Sequence, residues 1–507
     1  MTESGTILVT GATGYVGARL VTRLLEKGYR VRATGRSLDR LRKRPWANHP
    51  GVELFPADMI DPASIARAPA SIARACEGCA AAYYLVHSMM PGEGKFEEVD
   101  REAARNMARA AEEAGLSRLI YLGGLGEENP SLSRHLRSRT EVAEILAAGT
   151  TPATTLRAAM ILGAGSASFE ILRYLVDRLP VMITPKWVST ECQPIGIRNV
   201  LDYLVGCLET TGTTGGTFDI GGPEVVTYRE LMRIYAREAG LPPRIVIPVP
   251  VLTPRLSSYW IHLVTPVHAE VARPLAEGLS NRVVCGDTRI RGLIPLNLST
   301  CREAIRATLG PRNFRFLEDD QPPGRLPWET YRYPGDAPWA GGTFYHHSQR
   351  LSVRATPAEV WEGIEVLGGK NGWYTMDWLW SLRGFLDHLW GGIGMRKGNR
   401  KPGPLSPGAE IDFWRAVSVT PRRELRLVAE MKLPGDGVLS FRLRETEPGT
   451  TELTQTAQFL PRGLGGMAYW AFFGPFHRLV FPGLILGIGR HTGKPIVSGP
   501  DPVFDDL

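Results

Sequence analysis

Short apolar runs alternate with helix-period stretches over the first 160 residues of the chain. Thr6-Ile7-Leu8-Val9-Thr10 is a β-branched run, and residues 18–25 (Ala-Arg-Leu-Val-Thr-Arg-Leu-Leu) carry the spacing of an amphipathic helix. The same reading predicts strands at 30–34, 51–55, 80–86 and 118–122, and a sixth beginning at Thr154. Helices are predicted at 96–114 and 134–148. Strand and helix in strict alternation imply a parallel sheet covered on both faces, an α/β Rossmann-like doubly wound fold.

The pattern loosens between about 160 and 310, where prolines are frequent. Residues 216–222 still look like a strand and 228–239 like a helix. This part is expected to be a substrate lobe, so the first domain spans 1–312. Residues 313–343, rich in proline, glycine and charge, are expected to be a linker.

A second domain is predicted over 344–495. Residues 349–354 alternate as a strand, and Thr356-Pro357-Ala358-Glu359 opens a helix with proline at its first position. Alternating runs follow at 409–419, 424–432, 437–445 and 451–459, then a long apolar stretch at 463–489. This order describes an α+β helix-grip arrangement, in which a final helix closes over a curved sheet and leaves a cavity. Pro475, His477, Arg478 and Pro482 interrupt the apolar stretch, which reads as a buried, kinked lid rather than a membrane span. With the basic segment 396–401, it also suggests weak peripheral contact with a membrane. Residues 496–507 are expected to be a tail.

At 507 residues the chain is too long for one core. Its 43% hydrophobic and 22% charged content excludes wholesale disorder. A net charge of +7 and a pI near 9.1 are mild for this length. They suit anionic ligands or a membrane surface, and no basic-aromatic block or zinc-finger spacing points to nucleic acid. Six cysteines make no disulfide framework in so long a chain, and Cys76-Glu77-Gly78-Cys79 precedes a strand instead of opening a helix. Reduced thiols and the lack of a leader pattern point to the cytoplasm.

The chemistry begins in the first turn. Gly11-Ala12-Thr13-Gly14-Tyr15-Val16-Gly17 sets three glycines at three-residue spacing between a strand and a helix. Such glycines serve the tight turn, the backbone's approach to a pyrophosphate and the packing of helix on strand. Arg36 follows the second strand, where an arginine pairs with the 2′-phosphate of NADP and a carboxylate would select NAD. NADP is therefore expected over NAD, and Arg42 and Arg44 read as a solvated basic face. Asp58, past the third strand, either accepts from the adenine amino group, with Met59 flanking the ring, or caps a loop. Leu85-Val86-His87 ends the fourth strand where the central ribose should pass; His87 either serves there or bonds a loop carbonyl.

Thr10 to Gly17, Arg36, Asp58 and the fifth and sixth strands resemble the atypical short-chain dehydrogenase/reductase superfamily. The similarity is to its NmrA-like and complex-I-accessory-subunit-like branches. That resemblance implies a serine after the fifth strand and a Tyr-x-x-x-Lys on the next helix. This chain has Gly123-Gly124 in place of the serine, and His135 and Arg139 at the Tyr and Lys spacing. Histidine can relay a proton, whereas arginine cannot serve as acid or base. Tyr121 is a further proton-donor candidate, or a core aromatic. Residues 344–495 resemble DUF2867, itself similar to START-like helix-grip proteins, through Gly372-Trp373-Tyr374-Thr375-Met376-Asp377-Trp378, Asp412-Phe413-Trp414-Arg415 and Ala429 to Pro434. Their tryptophans line an apolar ligand cavity or fill a core.

These readings converge on an NADP-preferring oxidoreductase acting on a hydrophobic carbonyl or quinone-like substrate. The missing Ser-Tyr-Lys set keeps a second reading open, a non-catalytic NADP(H) sensor or scaffold. A nucleotide-sugar epimerase or dehydratase fits less well.

Overall fold

The computed structural model describes residues 5–57, 59, 68–86, 96–126, 133–249, 263–309, 334–369, 371–389, 391–395 and 404–503. The described chain forms two compact units, the first built from residues up to 310 together with 331–341, the second from the remainder.

In the first unit, β1 (Thr6–Val9), β2 (Val31–Gly35), β3 (Val52–Pro56), β4 (Cys79–Tyr84), β5 (Leu119–Gly124) and β6 (Ala153–Ala158) join one parallel sheet. A seventh strand, Thr217–Ile220, adds parallel to β6, and the order across the sheet is β3-β2-β1-β4-β5-β6 and then that strand. This is the expected doubly wound sheet, with the order reversing between β1 and β4. Both faces are buried. Ile7, Val9 and Val31 pack with Leu20 and Leu24 of α1 (Tyr15–Glu26), while Leu8, Ala82 and Tyr84 pack beneath the opposite layer. A further core around Phe169, Leu172, Leu231 and Tyr235 holds the lobe together.

The stretch expected to be a linker behaves differently near its end. Asp336 is clamped between Arg19 and Arg44, with N–O distances of 2.8 and 2.9 Å. Tyr174 donates to the Trp339 carbonyl, and the Gly341 amide donates to the buried Glu170 at 3.0 Å. Residues 334–341 therefore belong to the first unit's packing. Composition suggested a linker because proline, glycine and charge dominate there, yet one carboxylate between two buried guanidiniums anchors the segment.

The second unit is a seven-stranded antiparallel sheet. Tyr345–Val353 lies between the strands Thr450–Pro461 and Ile496–Pro502. The last of these was expected to be a tail. It pairs at the sheet edge, where prolines are tolerated because no further partner needs their N–H. Thr356 caps the helix Pro357–Glu365 through a reciprocal bond with Glu359, as its sequence predicts.

The helix Gly463–His491 packs on this sheet and holds both Pro475 and Pro482. Its expected burial holds along one side and toward its end, where Phe481, Leu484, Ile485 and Ile488 are buried. The opposite side is open to solvent: Leu464, Phe472, Phe476 and Leu479 are all exposed. It is the one described helix long and apolar enough to cross a membrane. The basic segment 396–401 lies outside the described residues.

Candidate functional site

The glycine loop is shaped by contacts that tolerate no side chain. Gly11 leaves β1 at φ 67°, and a Cβ there would stand 2.7 Å from the Leu85 carbonyl oxygen. A Cβ on Gly17 would collide with the Gly11 carbonyl oxygen, so α1 starts directly on the loop. Gly14 caps α1 without a side chain and is exposed. The first-turn amides of α1 have no side-chain cap, and such amides are the donors a pyrophosphate takes up. Ala12 is buried and its amide donates to the Thr34 carbonyl at 2.9 Å, tying the loop to β2.

The neighbouring strand ends converge on this loop. Thr10 Oγ1 donates to the Tyr83 carbonyl and accepts from the Leu85 amide, which brings Leu85 and Val86 against the loop's base. A Cβ at Gly35 would lie 2.9 Å from Thr13 Cγ2, so the end of β2 packs on the loop, and Arg36, the next residue, is exposed. Met59 is 3% exposed and packs in the core with Leu8 and Tyr84. Asp58 and His87 lie outside the described residues.

Beneath the loop is a buried charge network that the sequence reading missed. Arg44, expected on a solvated face, is 1% exposed at its side chain. It donates to Asp336 and to the Thr13 carbonyl, supporting the loop from below. Arg19 stacks 4.2 Å over the Tyr15 ring and donates to the Ala164 carbonyl as well as to Asp336. Tyr15 is half-buried as a whole, but its hydroxyl is fully buried with no partner among the described residues. Burial pushes its pKa up. Gly163 and Gly165 leave the room this ring needs, since a Cβ at Gly163 would overlap the Tyr15 hydroxyl.

Three of the catalytic candidates, Tyr121, His135 and Arg139, lie on β5 and the helix that follows it. Tyr121 Oη lies 3.4 Å from both the carbonyl oxygen and a guanidinium nitrogen of Arg139. Tyr121 is fully buried beside Tyr84, and burial raises its pKa, so it is a core aromatic that does not ionise readily. His135 sits one turn before Arg139 on the helix Arg134–Ala147. Burial, aided by the Arg139 cation, lowers its pKa to about 3. The imidazole is therefore neutral near pH 7 and holds no imidazolium proton to donate. Gly123 and Gly124 stand where the resemblance implies a serine; a Cβ on Gly123 would lie 3.0 Å from the Tyr121 ring. The loop offers backbone amides of the kind a dinucleotide takes up, while the Tyr-Lys pair is absent from the end of β5.

In the second unit, Trp361, Trp373 and Trp414 are buried, and the Trp373 indole donates to buried Asp412 at 2.8 Å. Trp470 stacks on Phe459 and Tyr345. Trp378, by contrast, is 66% exposed and lines no interior. Trp390 lies outside the described residues.

Sheet order, loop and strand ends together define the first unit as a Rossmann unit of the dinucleotide-binding type. Residues 3–164 match the NmrA-like family, and residues 339–484 match DUF2867, described as a protein of unknown function. The chain thus joins an NmrA-like, NAD(P)-binding type of region to a DUF2867 region, as its motifs suggest. It is similar to divinyl chlorophyllide a 8-vinyl-reductase from Zea mays, 26% identical over 260 residues, covering 49% of this chain and 63% of that protein. It is also similar to ceramide reductase from Caulobacter vibrioides, 28% identical over 242 residues, 48% of this chain and 73% of that one. Among solved structures, the Citrobacter sp. triphenylmethane reductase complexed with NADP(H) aligns with TM-score 0.47 and 18% identity, over 60% of this chain and 99% of that one. The chain spans less than two thirds of the length of several curated relatives it matches.

Proposed function

We propose that the protein is an oxidoreductase that binds NADP in preference to NAD and reduces a hydrophobic carbonyl or quinone-like compound. The observation that carries this reading is the glycine loop leading into an uncapped helix, with Arg36 exposed directly after β2. The pyrophosphate would take the first-turn amides of α1, and the 2′-phosphate would pair with Arg36. A nicotinamide cofactor supplies hydride transfer, which asks the protein for proximity and orientation. The proton that completes a carbonyl reduction would come from His87 or from water, because His135 is held neutral and Tyr121 is buried against Arg139. The relatives' printed names, reductases among them, support a reductase over an epimerase.

A second reading has its own observation. Gly123-Gly124, neutral His135 and buried Tyr121 leave no ready acid among the described residues near the end of β5, which suits a sensor that binds NADP(H) without chemistry. Steady NADPH oxidation across a panel of quinones and aldehydes decides between them. Turnover of at least one class supports the enzyme. Tight NADPH binding with no turnover supports the sensor.

A further inference from the structure

The interior of the second unit contains polar side chains that its own fold leaves unsatisfied. Gln455 is 1% exposed, and neither its amide oxygen nor its amide nitrogen has a partner among the described residues. Gln349, 5% exposed, is its register partner on the adjacent strand, so the two side chains leave the same face of the sheet about 5 Å apart. Gln349 Nε2 lies 2.7 Å from His347 Nε2, while Gln349 Oε1 is unpartnered. From the helix above, His477 presents a third unsatisfied group, Nδ1. Its ring stacks on Phe481 at 4.9 Å, and Phe481 lies 5.9 Å from the His347 ring. Two strands and one helix thus aim unpaired polar atoms into one layer.

Native folds pair nearly every buried polar atom, so a cluster of orphans calls for an occupant. Two further features define its chemistry. The buried row of the strand Thr450–Pro461 is Thr451, Leu453, Gln455, Ala457 and Phe459, with no charged member. Burial also lowers the pKa of both His347 and His477, the latter to about 4, so neither offers a cation at neutral pH. Among the described residues a charged ligand would find no buried counter-ion in this layer, since Arg478, whose charge reaches His347, is exposed to solvent. A primary amide offers both a donor and an acceptor, which suits a carbonyl or a hydroxyl.

We propose that Gln349 and Gln455 form a polar reading site inside the second unit for an uncharged ligand with an apolar body and a carbonyl or hydroxyl group. Aromatic side chains on either side, Phe481 and Phe441, cover the ligand's apolar part, and His477 stands ready to bond from the helix. Binding at this site requires no nucleotide.

The test uses the full chain without nucleotide and two neutral fluorescent probes, 6-propionyl-2-dimethylaminonaphthalene and the same ring system lacking the propionyl carbonyl. The ketone should bind saturably, with blue-shifted emission, at least tenfold more tightly than the carbonyl-free probe. Gln455→Met and Gln349→Met should each abolish that difference while keeping a melting temperature equal to or above wild type. Absence of saturable ketone binding overturns the proposal, as does equal affinity for the two probes in wild type. Variants that raise the melting temperature with no ketone binding to lose would show that the amides hold only water, and would also overturn it. The two-probe comparison on wild type stands even if a variant fails to fold.

Discussion

Arg44 and Asp336 stand 292 residues apart in sequence and 2.9 Å apart in the fold. Arg44 also holds the Thr13 carbonyl, so the end of a supposed linker supports the nucleotide loop through one side chain. Asp336→Ala leaves Arg19 and Arg44 buried without their shared carboxylate, and breaking a buried pair costs about 3–5 kcal/mol. Asp287→Ala, which removes an ion pair with the exposed Arg289, should cost less than about 1 kcal/mol. Urea unfolding of the two variants measures the contrast. Equal midpoints would show that the buried network does not hold the unit together.

Tyr15 and Gly163 give a reciprocal test of packing. The Tyr15 hydroxyl is buried without a partner and occupies the space a Gly163 side chain would need. Gly163→Ala should lower stability by about 1–3 kcal/mol through overpacking. Tyr15→Phe should be neutral or stabilising, because it removes an unsatisfied polar atom. The double variant should recover much of the loss, and thermal melting of all four proteins gives the coupling. Additive effects would mean that the hydroxyl and the glycine do not meet.

These two relationships also mark what was legible in the sequence. The glycine loop was legible because every step in it is local: a strand, a turn that needs glycine, a helix without a cap. The strands predicted in the first unit fall within about two residues of those observed because periodicity is local too, while α1 starts three residues early and the helices Ala167–Arg178 and Ile197–Glu209 had no predicted place. Arg44 was read as solvated because charge usually means exposure, and its partner Asp336 lies in a segment whose composition looks unstructured. Ile496–Pro502 was read as a tail for a similar reason, since two prolines and a glycine hide a strand that survives only at a sheet edge. The end of β5 was half legible. The missing Ser-Tyr-Lys set is visible in the sequence, but the neutrality of His135 comes from burial, which spacing does not report.

His135 and His477 should make the protein acid-sensitive in a definite direction. Their folded pKa values, about 3 and about 4, lie below the ordinary 6.5. As pH falls below 6.5 the unfolded chain takes up protons that the folded one refuses, so stability drops until the folded pKa is reached. Each group contributes at most about 1.4 kcal/mol per pH unit in that window, and nothing above pH 7. His135→Gln and His477→Phe should each flatten the loss between pH 7 and pH 5, read from denaturant midpoints. An unchanged slope would show that these imidazoles titrate normally.

Burial raises the Tyr121 pKa even though the Arg139 guanidinium 3.4 Å away favours the phenolate, so Tyr121 gives up its proton with difficulty. Tyr121→Phe should leave kcat for any substrate that turns over within about twofold, whereas His87→Gln should lower it by tenfold or more where His87 supplies the proton and leave it unchanged where water does. The opposite ranking, read from NADPH oxidation at saturating substrate, would make Tyr121 the donor.

The most direct measurement is calorimetric titration of NADPH and NADH into wild type and Arg36→Ala. A glycine loop leading into an uncapped helix, with Arg36 exposed directly after β2, predicts that wild type binds NADPH at least tenfold more tightly than NADH. It predicts that Arg36→Ala loses at least tenfold, about 1.4 kcal/mol, for NADPH alone. Failure of wild type to bind either nucleotide, or an NADPH-to-NADH ratio that Arg36→Ala does not change, would contradict the account.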